Sequence, residues 1–489
     1  MADSSSIAHK LKLSFRFRRP LAARAGLAAI LVVAVAGGVL RAEAIGGNTR
    51  ISADEEGYVS NANRILAGRP YATFKWPPAT SIAFALATGL AGHGSLRLTA
   101  HASGPAQIAQ LAIGVGTLAV VAALAWMTGG LWAALLAVAL AASYLPLIVS
   151  TRTFLSEPLG GLALIAAIAA AAIARSRLGG RTDSAETGNR RSGLLGRREW
   201  VPLASAGAIG ALACLTRGDL LIAMLVIALA LALAGRPGFR VALARAAVYL
   251  GALALVLSPW LAYASSREGR FVPITTAGPD AFFVGSYLPG KGLLVPTEEA
   301  LAPEVCRRFP SDCGPYWQRT SAPLFKLIRA RDPGASQNAA VIRADLENIG
   351  NYALGRPLAF ASMLWGKFWS MWTNAWSGGN GTHHPDTSRT QHLIYTALAW
   401  LGLLAGIVAT RRRPNVQGYA GGAGAHWLLV VSAGALLSVA ALATLFNDQP
   451  RYNVSLTPLL FAAGAAGLWL AGKRVSAAWR ERAAASTRS

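Results

Sequence analysis

Three consecutive carboxylates are the first residues of this chain whose types and spacing could do chemistry. Asp54, Glu55 and Glu56 follow the first apolar run. Repulsion between neighbouring acids raises the pKa of at least one of them, which suits a general base at the mouth of a cavity. From Tyr58 onward the apolar residues recur at helical spacing, so the acids would stand at the start of a helix. A solvated helix start, favoured by the helix dipole, is the simpler alternative.

A lysine beside a tryptophan comes next, in the run Phe74-Lys75-Trp76-Pro77-Pro78. Lysine and tryptophan together are typical of an anchor at the membrane interface. A lysine can also bind a phosphate group as a point charge. The residues favour neither interpretation over the other, and both stay open at this point.

Three short polar turns between apolar runs carry further charges. Each holds acids and arginines: Arg152 with Glu157, Arg217 with Asp219, and Asp448 with Arg451 and Tyr452. Ionisable residues at membrane depth are costly and mark functional sites by default. Each turn alone could be a local salt bridge. If the three turns meet on one membrane face, they predict a polar cavity over an apolar bundle.

The chain has three cysteines, and two of them are candidates for a disulfide. Cys306 and Cys313 lie in one polar segment with six residues between them, and an oxidising compartment would allow them to pair. Two free thiols are the alternative. Cys214 lies in an apolar run and is expected to be inert. The adjacent pair His383-His384 lacks the spacing of a zinc site, so no metal ligands are predicted.

These side chains must be positioned by an unusually apolar chain. Of its 489 residues, 54% are hydrophobic and 14% are charged, whereas soluble domains carry about 25% charged residues. This argues against a soluble enzyme, and the high hydrophobicity argues against disorder. The net charge of +24 would indicate a nucleic-acid partner in a soluble protein. In a membrane protein it can anchor cytoplasmic loops instead.

Ten apolar runs predict membrane-spanning helices. They are 21–40, 106–127, 131–149, 158–174, 201–215, 220–234, 246–264, 391–410, 426–446 and 454–472. The two short runs 201–215 and 220–234 flank a polar turn, and we interpret them as two spans. The sequence therefore predicts an all-α polytopic membrane protein of about ten transmembrane helices.

The distribution of basic residues predicts the orientation. If the short apolar run 78–92 lies in the interface, the inner segments carry a net charge of +19 and the outer segments +5. If 78–92 crossed, the Arg-rich loop 179–199 would move outside, against the positive-inside rule. The basic N-terminal residues are expected to precede an uncleaved anchor.

This topology divides the chain into five parts: a cytoplasmic basic tail (1–20), an N-terminal transmembrane catalytic module (21–264) with outer loop 41–105, a large extracytoplasmic loop (265–390), C-terminal transmembrane helices (391–472), and a cytoplasmic tail (473–489). The large loop contains five aromatic residues at roughly helical spacing, between Trp365 and Trp376. They are expected largely on one face, as an interfacial belt or as a wall that contacts sugar or prenyl chain.

In order, these motifs resemble the GT-C superfamily of integral-membrane glycosyltransferases. The nearest branch is that of protein O-mannosyltransferases, aminoarabinose transferases and rhizobial core-galacturonosyltransferases. The resemblance runs from the first span to about residue 460. It rests on Asp54-Glu55 with Tyr58, Gly68-Arg69-Pro70, Trp76-Pro77-Pro78, Leu155-Ser156-Glu157-Pro158, Thr216-Arg217-Gly218-Asp219, Ser258-Pro259-Trp260, Val272-Pro273-Ile274-Thr275-Thr276 with Gly285, and Arg451-Tyr452 with Pro458.

The resemblance implies an extracytoplasmic active site and a donor sugar linked to polyprenyl phosphate. Asp54 would be the general base that deprotonates the acceptor hydroxyl. Glu55 and Glu157 would shape the donor and acceptor site. The donor phosphate would be bound by Lys75, Arg217, Arg451 and Tyr452. The substrate site would also be lined by Tyr58 and Asp219. Relatives that modify lipid A carry a Glu just before the lysine, where this chain has Phe74, so an aminoarabinose-type acceptor does not carry over.

The predicted function is transfer of a sugar from a polyprenyl-phosphate-linked donor to a glycan, lipid or protein of the cell envelope, in the bacterial plasma membrane. The resemblance implies no cofactor and leaves a divalent metal open, because some relatives use one. The expected partners are the lipid-linked donor, the bilayer and the acceptor, without nucleic acid. The alternatives are a transporter or flippase of a lipid-linked glycan and a non-catalytic membrane scaffold.

Overall fold

The structure is a computed structural model that describes residues 21–45, 52–97, 104–178, 197–313, 321–376, 386–411, 422–447 and 451–487. Within these ranges every regular element is helical and no strand occurs, so the predicted all-α class is confirmed. The basic tail 1–20, most of the loop 179–199, His383, His384 and Asp448 lie outside the described residues.

The helices of the described residues are, in chain order, α1 (Leu21–Ile45), α2 (Ala53–Leu66), α3 (Pro78–Leu90), α4 (Pro105–Gly129), α5 (Leu131–Ser143), α6 (Leu145–Val149), α7 (Glu157–Arg177), α8 (Arg197–Thr216), α9 (Leu221–Ala232), α10 (Phe239–Glu268), α11 (Gly278–Ser286), α12 (Leu294–Arg308), α13 (Ala322–Arg331), α14 (Gln337–Asn348), α15 (Pro357–Thr373), α16 (Asp386–Arg411), α17 (Gly422–Leu445) and α18 (Tyr452–Ser486). Short 3-10 turns follow α6 and precede α9, and a π-helical turn follows α14.

Eight of these helices are long and apolar enough to cross a membrane, namely α1, α4, α7, α8, α10, α16, α17 and α18. The chain is therefore a multi-pass membrane protein. Helix α3 has 13 residues, about 20 Å at 1.5 Å per residue, which is too short to cross alone. Its interfacial position and the orientation of the bundle stay predictions.

Two of the ten predicted spans differ from expectation. The run 131–149 is not one straight span, because the helix breaks at Tyr144 and continues as Leu145–Arg152 after a bend of 63°. Pro146 lies just after the break, and a proline cannot donate the backbone hydrogen bond that a continuous helix needs. The run 220–234 becomes a shorter apolar helix over Gly218–Ala232.

Helix α18 forms the centre of the bundle and positions the last part of the site. Its residues 453–467 are all buried, and it packs against α4, α5, α7 and α16. A Cβ atom on Gly467 would lie 2.1 Å from the carbonyl oxygen of Gly402 on α16, so only glycine allows this close helix contact. The predicted tail 473–489 continues the same helix as far as Ser486.

The predicted large loop is a helical segment with its own hydrophobic core, to which α11–α14 contribute Phe283, Leu301, Val305, Leu324 and Val341 among others. Cys306 and Cys313 are disulfide-bonded there. Buried Lys367 links this segment to the bundle, since its Nζ donates to the carbonyl oxygens of Gly285 at 3.2 Å and Phe446 at 2.6 Å.

The aromatic run 365–376 is exposed at its start and buried at its end. Helical spacing places Trp365, Trp369 and Trp372 on one side of α15, as expected. Trp365 and Trp369 are exposed, and the Trp365 ring stacks with those of Phe368 and Trp369. Trp372, which packs edge-on against Trp400 of α16, and Trp376, which follows the helix, are buried. Only the exposed part of this face can therefore meet lipid.

Candidate active site

A capping box fixes the start of α2. The Ser52 Oγ accepts a hydrogen bond from Glu55 N at 3.4 Å, and Glu55 Oε2 accepts one from Ser52 N at 2.8 Å. Glu55 Oε1 accepts from the backbone N–H of Phe154 at 2.9 Å, which ties α2 to the segment before α7. Burial raises the pKa of Glu55, although these hydrogen bonds oppose the shift. Glu55 thus fixes the start of the helix that carries Asp54.

The helix sends the three consecutive acids in different directions. Successive helical residues point about 100° apart. Glu55 is buried in the cap, Glu56 is exposed to solvent, and Asp54 is half-buried between them. Only Asp54 therefore faces the other charged residues of the candidate site.

Asp54 is held by two donors from distant parts of the chain. Trp76 Nε1 donates to its Oδ1 at 3.0 Å, and Arg451 forms an ion pair with its Oδ2. A Cβ atom on Gly57 would lie 2.4 Å from the Trp76 ring, so the glycine provides the room that this ring occupies. Burial acts to raise the pKa of Asp54, but Arg451, Trp76 and Lys75 together lower it below the ordinary value.

The ion pair of Asp54 is the first link of an alternating chain of charges. Arg451 Nε lies 3.4 Å from Glu157 Oε1, and Arg217 Nη1 lies 3.1 Å from the same oxygen. Arg217 also donates to both oxygens of Asp219, at 3.1 and 2.7 Å. The order is thus Asp54, Arg451, Glu157, Arg217, Asp219. Each buried charge has an opposite charge as its neighbour, which is the condition under which buried charges are tolerated.

Tyr452 stabilises both arginines of this chain, which we call the charge cluster (Asp54, Arg451, Glu157, Arg217 and Asp219). The guanidinium carbons of Arg217 and Arg451 lie 4.8 and 5.7 Å from the centre of the Tyr452 ring, within cation–π distance. Burial acts to lower the pKa of Arg451, but Asp54 and Glu157 outweigh it and raise that pKa well above the ordinary value. Both arginines therefore stay charged.

Lys75 lies at the edge of the charge cluster without a carboxylate of its own. Its Nζ lies 5.6 Å from the centre of the Trp76 ring, and its charge acts on both Asp54 and Asp280. In the described part of the chain, no acid lies within ion-pair distance of Lys75. It is thus a cation that can still accept an anionic ligand.

The remaining predicted residues have different positions. Tyr58 is 4% exposed, and its ring lies 6.2 Å from that of Trp76, so it packs beneath the site. Arg152 does not join the charge cluster, and its buried Nε has no hydrogen-bond partner among the residues described. Within the same ranges no three His, Cys, Asp or Glu side chains are grouped to hold a metal ion.

Sequence reasoning missed two structural roles. The hydrogen bond from Trp76 to Asp54 was not predicted, since the Lys75-Trp76 pair suggested either an anchor or a phosphate contact. The capping role of Glu55 was not predicted either, and its shaping of the substrate site stays a prediction. The second role had a signal in the sequence, because Ser52-Ala53-Asp54-Glu55 is a capping-box pattern.

The accessible member of the charge cluster is Asp54. Its side chain is 29% exposed, against 23% for Asp219, which both guanidinium contacts of Arg217 engage, and 3% for Glu157. Asp54 is thus a carboxylate that a ligand can reach, beside two permanently charged arginines and one unpaired lysine. Such a group can take up a proton while the cations stabilise a departing anion.

No protein-family model matches this chain, and no curated protein matches it. Several solved structures resemble the fold. The oligosaccharyltransferase of Archaeoglobus fulgidus in its apo form has a TM-score of 0.48 and 15% identity, over 90% of this chain and 50% of that one. The chain thus spans about half the length of this protein.

The archaeal oligosaccharyltransferase AglB of the same organism, in complex with an inhibitory peptide and a dolichol-phosphate, has a TM-score of 0.47 and 14% identity, over 90% and 50% of the two chains. ArnT from Cupriavidus metallidurans bound to undecaprenyl phosphate has a TM-score of 0.36 and 15% identity, over 92% and 77%.

Proposed function

We propose that this chain is a membrane glycosyltransferase that transfers a sugar from a polyprenyl-phosphate-linked donor to an extracytoplasmic acceptor of the bacterial cell envelope. The observation that carries the proposal is the charge cluster with Lys75 at its edge. It combines the partly exposed carboxylate of Asp54 with two arginines at the ends of membrane helices and one lysine in the turn before α3. This is the set of groups that such a transfer needs.

In the proposed reaction Asp54 accepts the proton of an acceptor hydroxyl. The acceptor oxygen forms a bond to the anomeric carbon, and the bond from that carbon to the phosphate oxygen breaks. The polyprenyl phosphate departs with the electron pair of the broken bond. Lys75 and Arg451 bind its oxygens, with Arg217 behind them, because arginine can bind a phosphate through two parallel hydrogen bonds.

Donor binding would also activate the base. Arg451 is the cation that does most to lower the pKa of Asp54 in the free protein. When Arg451 turns part of its charge toward the donor phosphate, that effect weakens and Asp54 becomes a stronger base. The general base is then competent only when the leaving group is in place. We expect the acidic limb of kcat to lie at higher pH than that of kcat/KM, because kcat reports the bound state.

Two of the solved structures named above hold dolichol-phosphate and undecaprenyl phosphate, which is consistent with such a donor. The excess of basic residues on the predicted inner segments supports an extracytoplasmic position for the site. These points support the proposal, and the acceptor is to be identified by experiment.

The test is transfer by the purified chain in lipid vesicles that contain undecaprenyl-phosphate-linked sugars. We expect release of undecaprenyl phosphate and a sugar-labelled acceptor, both measured by mass spectrometry. A deletion strain supplies the acceptor, as the envelope molecule that loses one sugar mass. Movement of the intact donor across the bilayer without bond cleavage would contradict the proposal and indicate a flippase.

Lys75→Gln tests the phosphate role separately. We expect transfer to fall roughly 10- to 100-fold, the effect of one charge-assisted hydrogen bond of about 1.5–3 kcal/mol. Lys473→Gln is the matched control, because Lys473 also lies over a tryptophan ring, at 5.2 Å from that of Trp469, but near the far end of α18. Equal transfer by the two variants would exclude Lys75 from donor binding.

A further inference from the structure

Arg41 is an arginine inside the bundle that the proposed reaction does not use. It is 1% exposed. Its Nη1 donates to the carbonyl oxygens of Gly37 at 2.9 Å and Ala142 at 3.3 Å, and its Nη2 donates to that of Ala141 at 2.9 Å. These contacts place a positive charge at the carboxyl end of α5, which the helix dipole favours. No carboxylate forms an ion pair with it in the described ranges.

The third nitrogen of Arg41 faces a small cavity that it shares with Glu157. Both side chains line the cavity, in which the centre of a water-sized sphere can occupy about 10 Å³. Arg41 Nε and Glu157 Oε2 are buried there, and neither has a hydrogen-bond partner among the described residues. One donor and one acceptor of opposite charge are thus left unsatisfied at the same cavity, which is about the minimum size for one water molecule.

Most of the cavity surface is apolar, but two hydroxyl groups line it as well. Ser150 Oγ donates to Leu147 O at 2.9 Å, and Thr117 Oγ1 donates to Ile113 O at 2.8 Å. Since both hydroxyl hydrogens are used, their oxygens can accept a hydrogen bond from the cavity. A water molecule would accept from Arg41 Nε and donate to Glu157 Oε2 and to one hydroxyl. That is three hydrogen bonds, typical of buried water.

Gly114 keeps this cavity open. A Cβ atom there would lie 3.2 Å from Arg41 Nε, 3.0 Å from Arg41 Cδ and 2.8 Å from Thr151 Cγ2. A side chain there, at the wall of the cavity, would therefore crowd Arg41 and Thr151. Gly116, two residues on in the same helix, has only an ordinary contact of 3.7 Å with Leu162.

We propose that one water molecule occupies this cavity and joins Arg41 to Glu157, and that Arg41 is a positioning residue for the charge cluster. Glu157 Oε1 is engaged by Arg217 at 3.1 Å and Arg451 at 3.4 Å. The water fixes the other oxygen, Oε2, so that the carboxylate holds both arginines in place from behind. The catalytic part of this inference rests on the proposed glycosyl transfer, whereas the water site does not.

The water site is tested by an experimental structure of the full chain in which buried waters are visible. We expect density between Arg41 Nε and Glu157 Oε2, and loss of that density in Gly114→Ala. A wild-type map that shows other buried waters but none here would overturn the proposal. This readout stands even if the chain transfers no sugar, so it separates failure of the inference from failure of the proposed function.

The positioning role is tested by comparing Gly114→Ala with Gly116→Ala. Both replace glycine by alanine in α4, so both gain the same helix propensity. We expect Gly114→Ala to lower kcat by roughly tenfold with a smaller change in KM for the donor, because misplaced arginines weaken the stabilisation of the leaving phosphate. Gly116→Ala should stay within about twofold of wild type. Equal kcat in the two variants would overturn the positioning role.

A second background tests whether the contact with Thr151 explains the loss. Thr151→Ser deletes the methyl group closest to the new Cβ but leaves Arg41 and the cavity unchanged. We expect Gly114→Ala to remain impaired in this background. If Thr151→Ser restores kcat, the loss came from crowding of the helix, and the water has no positioning role.

Discussion

Two sets of buried acids in this molecule have opposite electrostatic surroundings. In the charge cluster, Asp54 and Glu157 lie against Arg451, and the pKa of Asp54 is lowered. In the segment of α11–α14, Asp345 and Glu298 are also buried, but Asp345 Oδ1 and both oxygens of Glu298 have no hydrogen-bond partner in the described part of the chain.

The consequence is seen in the pKa values of the second set. Burial, with a contribution from Asp280, raises the pKa of Asp345 to about 8. Burial and the neighbouring Glu299 raise that of Glu298 to about 7. Burial beside another acid therefore raises the pKa of a carboxyl group, and an arginine at contact distance reverses the effect. A perturbed acid is thus a poor guide to the active site unless its partners are also named.

Removal of Arg451 should have the largest effect, because it takes a cation away from the acids of the charge cluster. Arg451→Gln leaves Asp54 without its cation, so Asp54 would resemble the unpartnered acids, while Glu157 keeps only Arg217 of its two arginines. We expect a loss of roughly 3–5 kcal/mol of stability at pH 7, measured as thermal unfolding in detergent. Arg343→Gln is the control, because Arg343 is 65% exposed and pairs with Asp332, and surface pairs contribute about 0–1 kcal/mol. Equal losses would contradict this account of the cluster.

Asp345→Asn should change how the stability of the folded chain depends on pH. In the unfolded chain Asp345 ionises near its ordinary pKa of 3.8, but in the folded chain only near about 8. Between these values the folded state binds the extra proton, so wild-type stability falls as the pH rises. We expect the stability of Asp345→Asn not to fall in this way, so that its free energy of unfolding increases relative to wild type from pH 4 to pH 8. Glu347→Gln, on the same helix but exposed, should run parallel to wild type, and a parallel curve for Asp345→Asn would refute the prediction.

Glu298→Gln should also gain stability over wild type as the pH rises, but over a narrower pH range than Asp345→Asn. The pKa of Glu298 is about 7 in the folded chain, and its ordinary value is 4.5. We therefore expect the stability gain of Glu298→Gln over wild type to grow only between pH 4.5 and pH 7 and to stay constant above that. Unfolding curves at several pH values measure the window. A gain that grows up to pH 8 would show that Glu298 and Asp345 titrate as one unit.

The fold was predictable where the signal is local. Long apolar runs predict α1, α4 and α18 because a membrane helix must satisfy its own backbone. The break at Tyr144 was missed, although Pro146 is its local signal, because length and hydrophobicity alone do not report a bend. The burial of Trp372 was not predicted either, since helical spacing shows which residues share a face but not which part of that face is covered.

The candidate site was predictable only in part, because its contacts join distant parts of the chain. Asp54 and Arg451 are 397 residues apart, and only the shared topological level of their turns indicated that they meet. The pairing order within the charge cluster, and the role of Trp76 as a donor, depend on packing that no spacing encodes. Arg41 gave no signal beyond being a charge in an apolar run.

The central claim is that Asp54 is the general base, and the most direct measurement compares Asp54→Asn with Glu56→Gln in transfer from undecaprenyl-phosphate-linked sugar. The two acids are two residues apart, but Glu56 is exposed. We expect Asp54→Asn to lower transfer by roughly 100-fold or more while it still binds undecaprenyl phosphate, and Glu56→Gln to transfer as wild type does. Undiminished transfer by Asp54→Asn would contradict the account.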